Sequence, residues 1–278
     1  TIIYVLLQLA FLGSIPTEML SGGWAEVSKQ FSLPYRDIAI TLGMGWLAFM
    51  VISDAIISPS GTGNIYMNAT PRVIYGWAKA GTFFKAFTHI DKESGIPRPA
   101  LWLTFGLSIF WTLPFPSWEQ LISVVSAALV LSYAIAPVTA AGLRRNAPDL
   151  PRPFRVRAFA IIGPVSFMIS ALIVYWSGWT TLSWLLGLQI VMFVVYILCK
   201  GKVPVHTVSL AQQVKSSLWL IVFYALIMLF SWLGSFGGTN EIPHPWDTVL
   251  VAVMSLAIYY WGARSCLPQA NFSGDEEE

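Results

Sequence analysis

Residues 53–77 read SDAIISPSGTGNIYMNATPRVIYGW and gather Asp54, Ser58, Ser60, Gly61, Thr62, Asn64 and Tyr66 within an otherwise apolar chain. A carboxylate, hydroxyls, an amide and a phenol at this density could bind a small cation, carry a proton or hold a zwitterionic solute. Helical steps of three and four place Asp54, Ser58, Gly61, Thr62 and Ile65 or Tyr66 on one face. Pro59 lacks an N–H and crowds the carbonyl of Ala55, and Gly61 and Gly63 follow within a turn. A loosened backbone is therefore expected here. At membrane depth such backbone persists only where it is buried in protein or lines water. Asp54 is expected as the one clearly buried acid, facing a cavity or a partner. The alternative is a helix–helix seam, with small residues packed closely, Ser and Thr bonding their own backbone, and Asp54 paired to a polar neighbour.

The elements that carry these residues belong in lipid. Of 278 residues, 56% are apolar and only 11% charged, against about 25% charged in ordinary soluble domains. The mean hydropathy is +0.65. Thirteen Trp and ten Tyr suit the headgroup level. A net charge of +2 gives nucleic acid no electrostatic purchase. Cys199 and Cys266 lie far apart, and His89, His206 and His244 fall in expected loops without ligand spacing, so no metal site or disulfide framework is indicated. The chain opens TIIYVLLQLA, with neither Met nor a basic leader. This reads as a span entered partway, and a fragment or processed product is expected.

A spanning helix needs about 20 apolar residues. Eight stretches qualify: 1–15, 37–66, 99–115, 119–142, 158–177, 181–199, 217–235 and 247–263. The stretch 37–66 is expected as one long tilted helix that continues to about Gly81. Fourteen of the 16 Lys and Arg then fall on one face: in 67–98, 143–157, 200–216 and the tail. Lys29 and Arg36 fall on the other. The positive-inside rule puts the richer face, and the C-terminus, in the cytoplasm. Gly43, Gly45, Gly106 and Gly163 are read as packing residues. Glu119 suits a helix start, and Ser123, Ser126, Ser132 and Tyr133 form a weaker polar face. The sequon at Asn68 is discounted because it falls on the cytoplasmic side beside Pro71.

At 72–102, RVIYGWAKAGTFFKAFTHIDKESGIPRPALW, the chain resembles the amino acid–polyamine–organocation permeases. Arg72, Tyr75, Ala78, Gly81, Pro97 and Pro99 match the end of that family's eighth helix and the start of its ninth. LSYAIAPVTAAGLRR (131–145) is similar to the tenth helix, and NAPDLPRPFRV (146–156) to the loop after it. The resemblance implies an all-α polytopic bundle of about eight spans, a partial inverted-repeat fold. Residues 1–200 would be permease helices seven to twelve, and 201–278 two additional spans and a cytoplasmic tail, all in one transmembrane domain. The substrate-binding first and sixth helices of that fold would lie in missing N-terminal helices of the same polypeptide. The resemblance also implies hydroxyls for an ion site from Ser58, Ser60 and Thr62, and a gate at Tyr66 or Ile65.

The reading is a secondary active transporter that moves an amino-acid substrate across the cell membrane with a proton or sodium as coupling ion. The alternatives are a polyamine or amine permease of the same fold, and a structural or receptor-like membrane protein that transports nothing. No enzyme activity and no cofactor is implied: there is no Ser-His-Asp or Cys-His arrangement and no Walker sequence.

Overall fold

Hydrocarbon leaves a backbone no hydrogen-bond partner but itself, and among the described residues the chain forms nine α-helices and no strand. The computed structural model describes residues 2–22, 27, 31, 33–81, 83–113, 118–149, 151–199 and 210–267. The helices are α1 (Ile2–Ser14), α2 (Pro34–Thr41), α3 (Gly45–Lys79), α4 (Arg98–Thr112), α5 (Trp118–Asn146), α6 (Phe159–Trp176), α7 (Trp179–Cys199), α8 (Leu210–Leu233) and α9 (Trp246–Ser265).

Every apolar stretch read from the sequence lies on helix, but 37–66 is divided. Gly43 adopts φ +74, a left-handed conformation that glycine enters without steric cost. The amides of Leu42, Gly43 and Met44 cap the carbonyls of Ile38, Ile40 and Ala39 at 2.8–2.9 Å. α2 ends there and α3 begins two residues later. Five described helices are long and apolar enough to cross a membrane: Gln120–Asn146, Phe159–Trp176, Trp179–Tyr196, Val214–Leu233 and Trp246–Ser265. The other three stretches fall short for separate reasons. α1 has 13 described residues, about 20 Å of helix. α4 has 15, and the end of its expected span lies outside the described residues. α3 is 35 residues long, but Ser53, Asp54, Ser58, Pro59 and Ser60 interrupt its apolar run.

The chain forms two compact units, Thr1–Pro71 and Arg72–Glu278. In the first, Ile15, Val27 and Ile38 form a small core with Phe11, Met19, Leu20 and Phe31 against it. Phe11 meets Phe31 and Tyr35 edge-on at 6.3 and 5.8 Å.

The second unit is a bundle of α5 to α9 in which α6 packs against the other four helices and α9 against α5, α6 and α8. Phe167 is its hub: its ring lies 5.1 Å from Phe223, 6.0 Å from Tyr259 and 6.4 Å from Trp219. Close approach depends on small residues, as in membrane bundles generally. A Cβ on Gly262 would stand 2.8 Å from both Trp219 and Val138. Gly163, one of the four expected packing glycines, would collide with the Tyr259 hydroxyl, whereas Gly45 and Gly106 face open space.

Polar contacts close both ends of this bundle. At one end, Asn146 donates to the carbonyl of Leu267 at 2.6 Å, so the 143–157 turn and the residues after α9 share that end, as the charge count expects. At the other end lies Asp247, fully buried in the first turn of α9. Tyr175 of α6 donates its hydroxyl to Oδ2 at 2.7 Å, and Ser235 donates both its amide (3.2 Å) and its hydroxyl (2.5 Å). Thr248 donates its amide (2.6 Å) and hydroxyl (3.2 Å) to Oδ1. All five are donors, matching the acceptor-only inventory of a carboxylate. The exposed His244 stands 3.5 Å from Oδ1. The α8 carbonyls are closed by the same loop: Thr239 caps Trp232, Asn240 caps Gly234 and Ile242 caps Leu233.

Two outcomes follow. Tyr175→Phe leaves a buried carboxylate one donor short and should lower unfolding stability in detergent by about 1.5–3 kcal/mol, whereas Tyr260→Phe, at an exposed ring, should leave it unchanged. In the turn before α4, the Ser94 hydroxyl (2.6 Å) and amide (3.0 Å), with Arg98 at 3.0 Å, hold the Asp91 carboxyl below its ordinary range. A depressed carboxylate stabilises above its unfolded pKa and stops doing so as pH falls through the folded value. Amide exchange at Ser94, corrected for its intrinsic pH dependence, should therefore quicken below about pH 4; Asp91→Asn should abolish that response.

Candidate functional site

Three short helical faces build a cleft in the first unit. Leu7, Ala10, Phe11 and Ser14 come from α1; Tyr35, Ile38, Ala39 and Leu42 come from α2 and its cap. Leu47, Met50, Val51 and Asp54 come from α3, with Met44 at the turn. Each set follows the spacing i, i+3, i+4, i+7 that defines one face of a helix. The cleft encloses about 590 Å³, within the range of small-molecule sites. Its walls are apolar, and Asp54 is the only ionisable carboxylate among them. Ser14 does not offer its proton to the cleft, because its hydroxyl donates to the carbonyl of Ala10 at 2.5 Å.

Asp54 is exposed, not buried as expected, and it forms no ion pair with a described residue. Every residue from Ala55 to Ala69 is exposed as well. The expected loosening of the backbone is not present either. α3 runs unbroken through Pro59 and Pro71. Proline removes one N–H, which leaves the carbonyl of Ala55 without its usual helical donor while neighbouring turns keep theirs.

The unbroken helix sorts the expected site residues. Asp54 lies at the end of the cleft-lining stripe, and Ser58, Gly61 and Thr62 continue its side of α3, with Tyr66 at the edge. Ser60 and Asn64 are four apart and lie about a third of a turn away. The structure thus does not bring all seven onto one face. Ser60 donates to Ile56 at 2.7 Å and Thr62 to Ser58 at 2.9 Å, the usual satisfaction of hydroxyls by their own helix. Their oxygens keep lone pairs outward. Asn64 accepts from Asn68 through its backbone carbonyl at 3.0 Å. A Cβ on Gly61 or Gly63 would meet nothing within 4 Å, so no described neighbour requires glycine there.

The weaker polar face on α5 is also self-satisfied in part: Ser132 donates to Leu129 at 2.7 Å, and Tyr133 and Ser126 are exposed. The side chains of Glu119 and Cys199, and all of His206, lie outside the described residues. Among the described residues no group of three His, Cys, Asp or Glu could hold a metal ion. A second cleft of about 690 Å³ lies between Phe110–Leu113 and one face of α7 from Ser183 to Val191, and contains no ionisable side chain. Sequence reasoning missed the Asp247 cluster. Its available signal was an acid at the first turn of an apolar helix, directly after the Gly237–Asn240 turn.

The sequence model of the amino acid permease family matches residues 1–230. The chain is 56% identical over 277 residues to the aspartate-proton symporter of Bacillus subtilis (strain 168), covering 99% of this chain and 53% of that protein. It is 34% identical to the glutamate/serine transporter AimA of the same organism, covering 95% of this chain and 49% of that protein. The branched-chain amino acid permease BcaP, also from that organism, is 21% identical over 73% of this chain and 42% of its own length. The chain therefore spans about half the length of the curated relatives it matches. No solved structure matches it. The all-helical fold, its five apolar spans and the family match agree: this is a multi-pass membrane protein, and it belongs to the amino acid permease family.

Proposed function

We propose that the full-length protein carrying this chain is a secondary active transporter that takes up an acidic amino acid, aspartate foremost, together with a proton. The observation that supports this most is the 56% identity, over nearly the whole chain, to an aspartate-proton symporter. The glutamate/serine transporter at 34% identity makes glutamate the first competitor to test. The remaining helices needed to enclose a substrate belong to the rest of the full-length protein. Its bundles would rock about a central site, the usual motion of such folds. The reading assigns no covalent chemistry to the chain.

In this reading Asp54 is the proton carrier. It lies where an apolar cleft gives way to the polar side of α3. Protonation removes its charge and with it the main cost of closing apolar helices over it. Ser58, Gly61 and Thr62 line the path beyond, with Tyr66 at its margin as the gate, and Ser60 and Asn64 serve the adjacent face. The 14-to-2 distribution of Lys and Arg puts the 143–157 turn and the C-terminus in the cytoplasm.

Full-length protein in proteoliposomes should accumulate labelled aspartate when a pH gradient is imposed, without sodium. Asp54→Asn should reduce that accumulation by about 5–150-fold, the size of typical coupling between two ligands, while aspartate exchange without a gradient survives. Accumulation equal to wild type would remove Asp54 from coupling. A dependence on sodium instead would move the coupling ion to the hydroxyl oxygens. The two faces of α3 can be separated in a background with Cys199 and Cys266 replaced by Ser. Cysteine at Ser58 or Thr62 should react with a water-soluble maleimide and be protected by aspartate; cysteine at Ser60 should show no such protection.

A further inference from the structure

We propose that the turn between α5 and α6 is a docking surface for the anionic phospholipid headgroups of the membrane face it borders. Both flanking helices are membrane spans, so the turn has to lie at a bilayer surface. It holds five arginines in 143–157 against one acid, Asp149. Two of the five build its shape. Arg152 donates to the carbonyls of Ala147 (2.6 Å), Pro148 (2.9 Å) and Leu143 (3.1 Å), folding the turn back over the end of α5. Arg144 stacks 4.0 Å over the ring of Phe159 and joins the two helix ends. The other three, Arg145, Arg155 and Arg157, are exposed and form no ion pair with a described residue.

Between them Phe154 is 82% exposed. Membrane insertion asks only for a count of positive charges; it explains neither an outward phenyl ring nor a turn held rigid by Arg152. An aromatic ring beside guanidinium groups fits the boundary between headgroups and acyl chains. The ring enters the apolar edge, and each planar fork takes a phosphate through paired N–H donors. A free basic loop in water would gain nothing from exposing the ring.

The test uses the full-length protein in nanodiscs of phosphatidylcholine, alone or mixed with phosphatidylglycerol. Native mass spectrometry should show selective retention of phosphatidylglycerol, with a higher unfolding temperature, and high salt should abolish both. Replacing Arg145, Arg155 and Arg157 by Gln should weaken retention about fivefold per charge, while the three Lys replacements keep part of it. Phe154→Ser should weaken it with the charge unchanged, and it serves as the decisive variant if the triple Gln protein fails to insert. Undiminished retention in Phe154→Ser, or no lipid preference in wild type, would overturn the proposal. So would a stabilisation by inorganic phosphate in phosphatidylcholine discs equal to that of phosphatidylglycerol, which would indicate a site for free phosphate.

Discussion

A carboxylate among apolar helices must find donors or water, and Asp247 and Asp54 meet the demand in opposite ways. Asp247 is enclosed and takes five donor contacts from α6, the α8–α9 loop and its own helix. A hydrogen bond to a charged group contributes about 1.5–3 kcal/mol, so five together can offset the several kcal/mol that burying an ion costs. Such an acid holds its surroundings fixed. Asp54 has no such shell and stands at the open end of a cleft.

This contrast was only half legible in the sequence. α6 to α9 were readable because long apolar runs between Pro- and Gly-rich breaks admit one interpretation, a helix in lipid. The division of 37–66 was not, because it rests on one glycine, Gly43, inside the apolar run 38–52. Pro59 and the two glycines after it suggested a broken backbone, yet a proline removes only one donor and the surrounding turns hold the helix. Asp247 was invisible for another reason: its partners Ser235 and Tyr175 lie 12 and 72 residues away. No local pattern encodes a contact of that kind. For the seven polar residues of α3, helical spacing grouped Asp54, Ser58, Gly61 and Thr62, and the unbroken helix keeps them on one side; Ser60 entered through the family resemblance and Asn64 through the polar run, and both lie on another face.

The two units carry different kinds of order. In Arg72–Glu278 the rings around Phe167, the close approach at Gly262 and the polar closures at both ends make a scaffold with little room for rearrangement. In Thr1–Pro71 a small core joins α1 and α2, and the residues of α3 from Asp54 to Ala69 are exposed.

The hydrogen bonding of α3 has an electrical consequence. The Thr62 and Ser60 protons are committed to main-chain carbonyls, the Ala55 carbonyl has lost its donor to Pro59, and Asp54 carries negative charge when ionised. Outward, then, this stretch of helix offers acceptor oxygens at Asp54, Ala55, Ser60 and Thr62, while its exposed donors stand at Ser58, Asn64 and Tyr66. A dipolar group brought against this helix would therefore be sorted end from end, its positive part toward the oxygens and its negative part toward those donors.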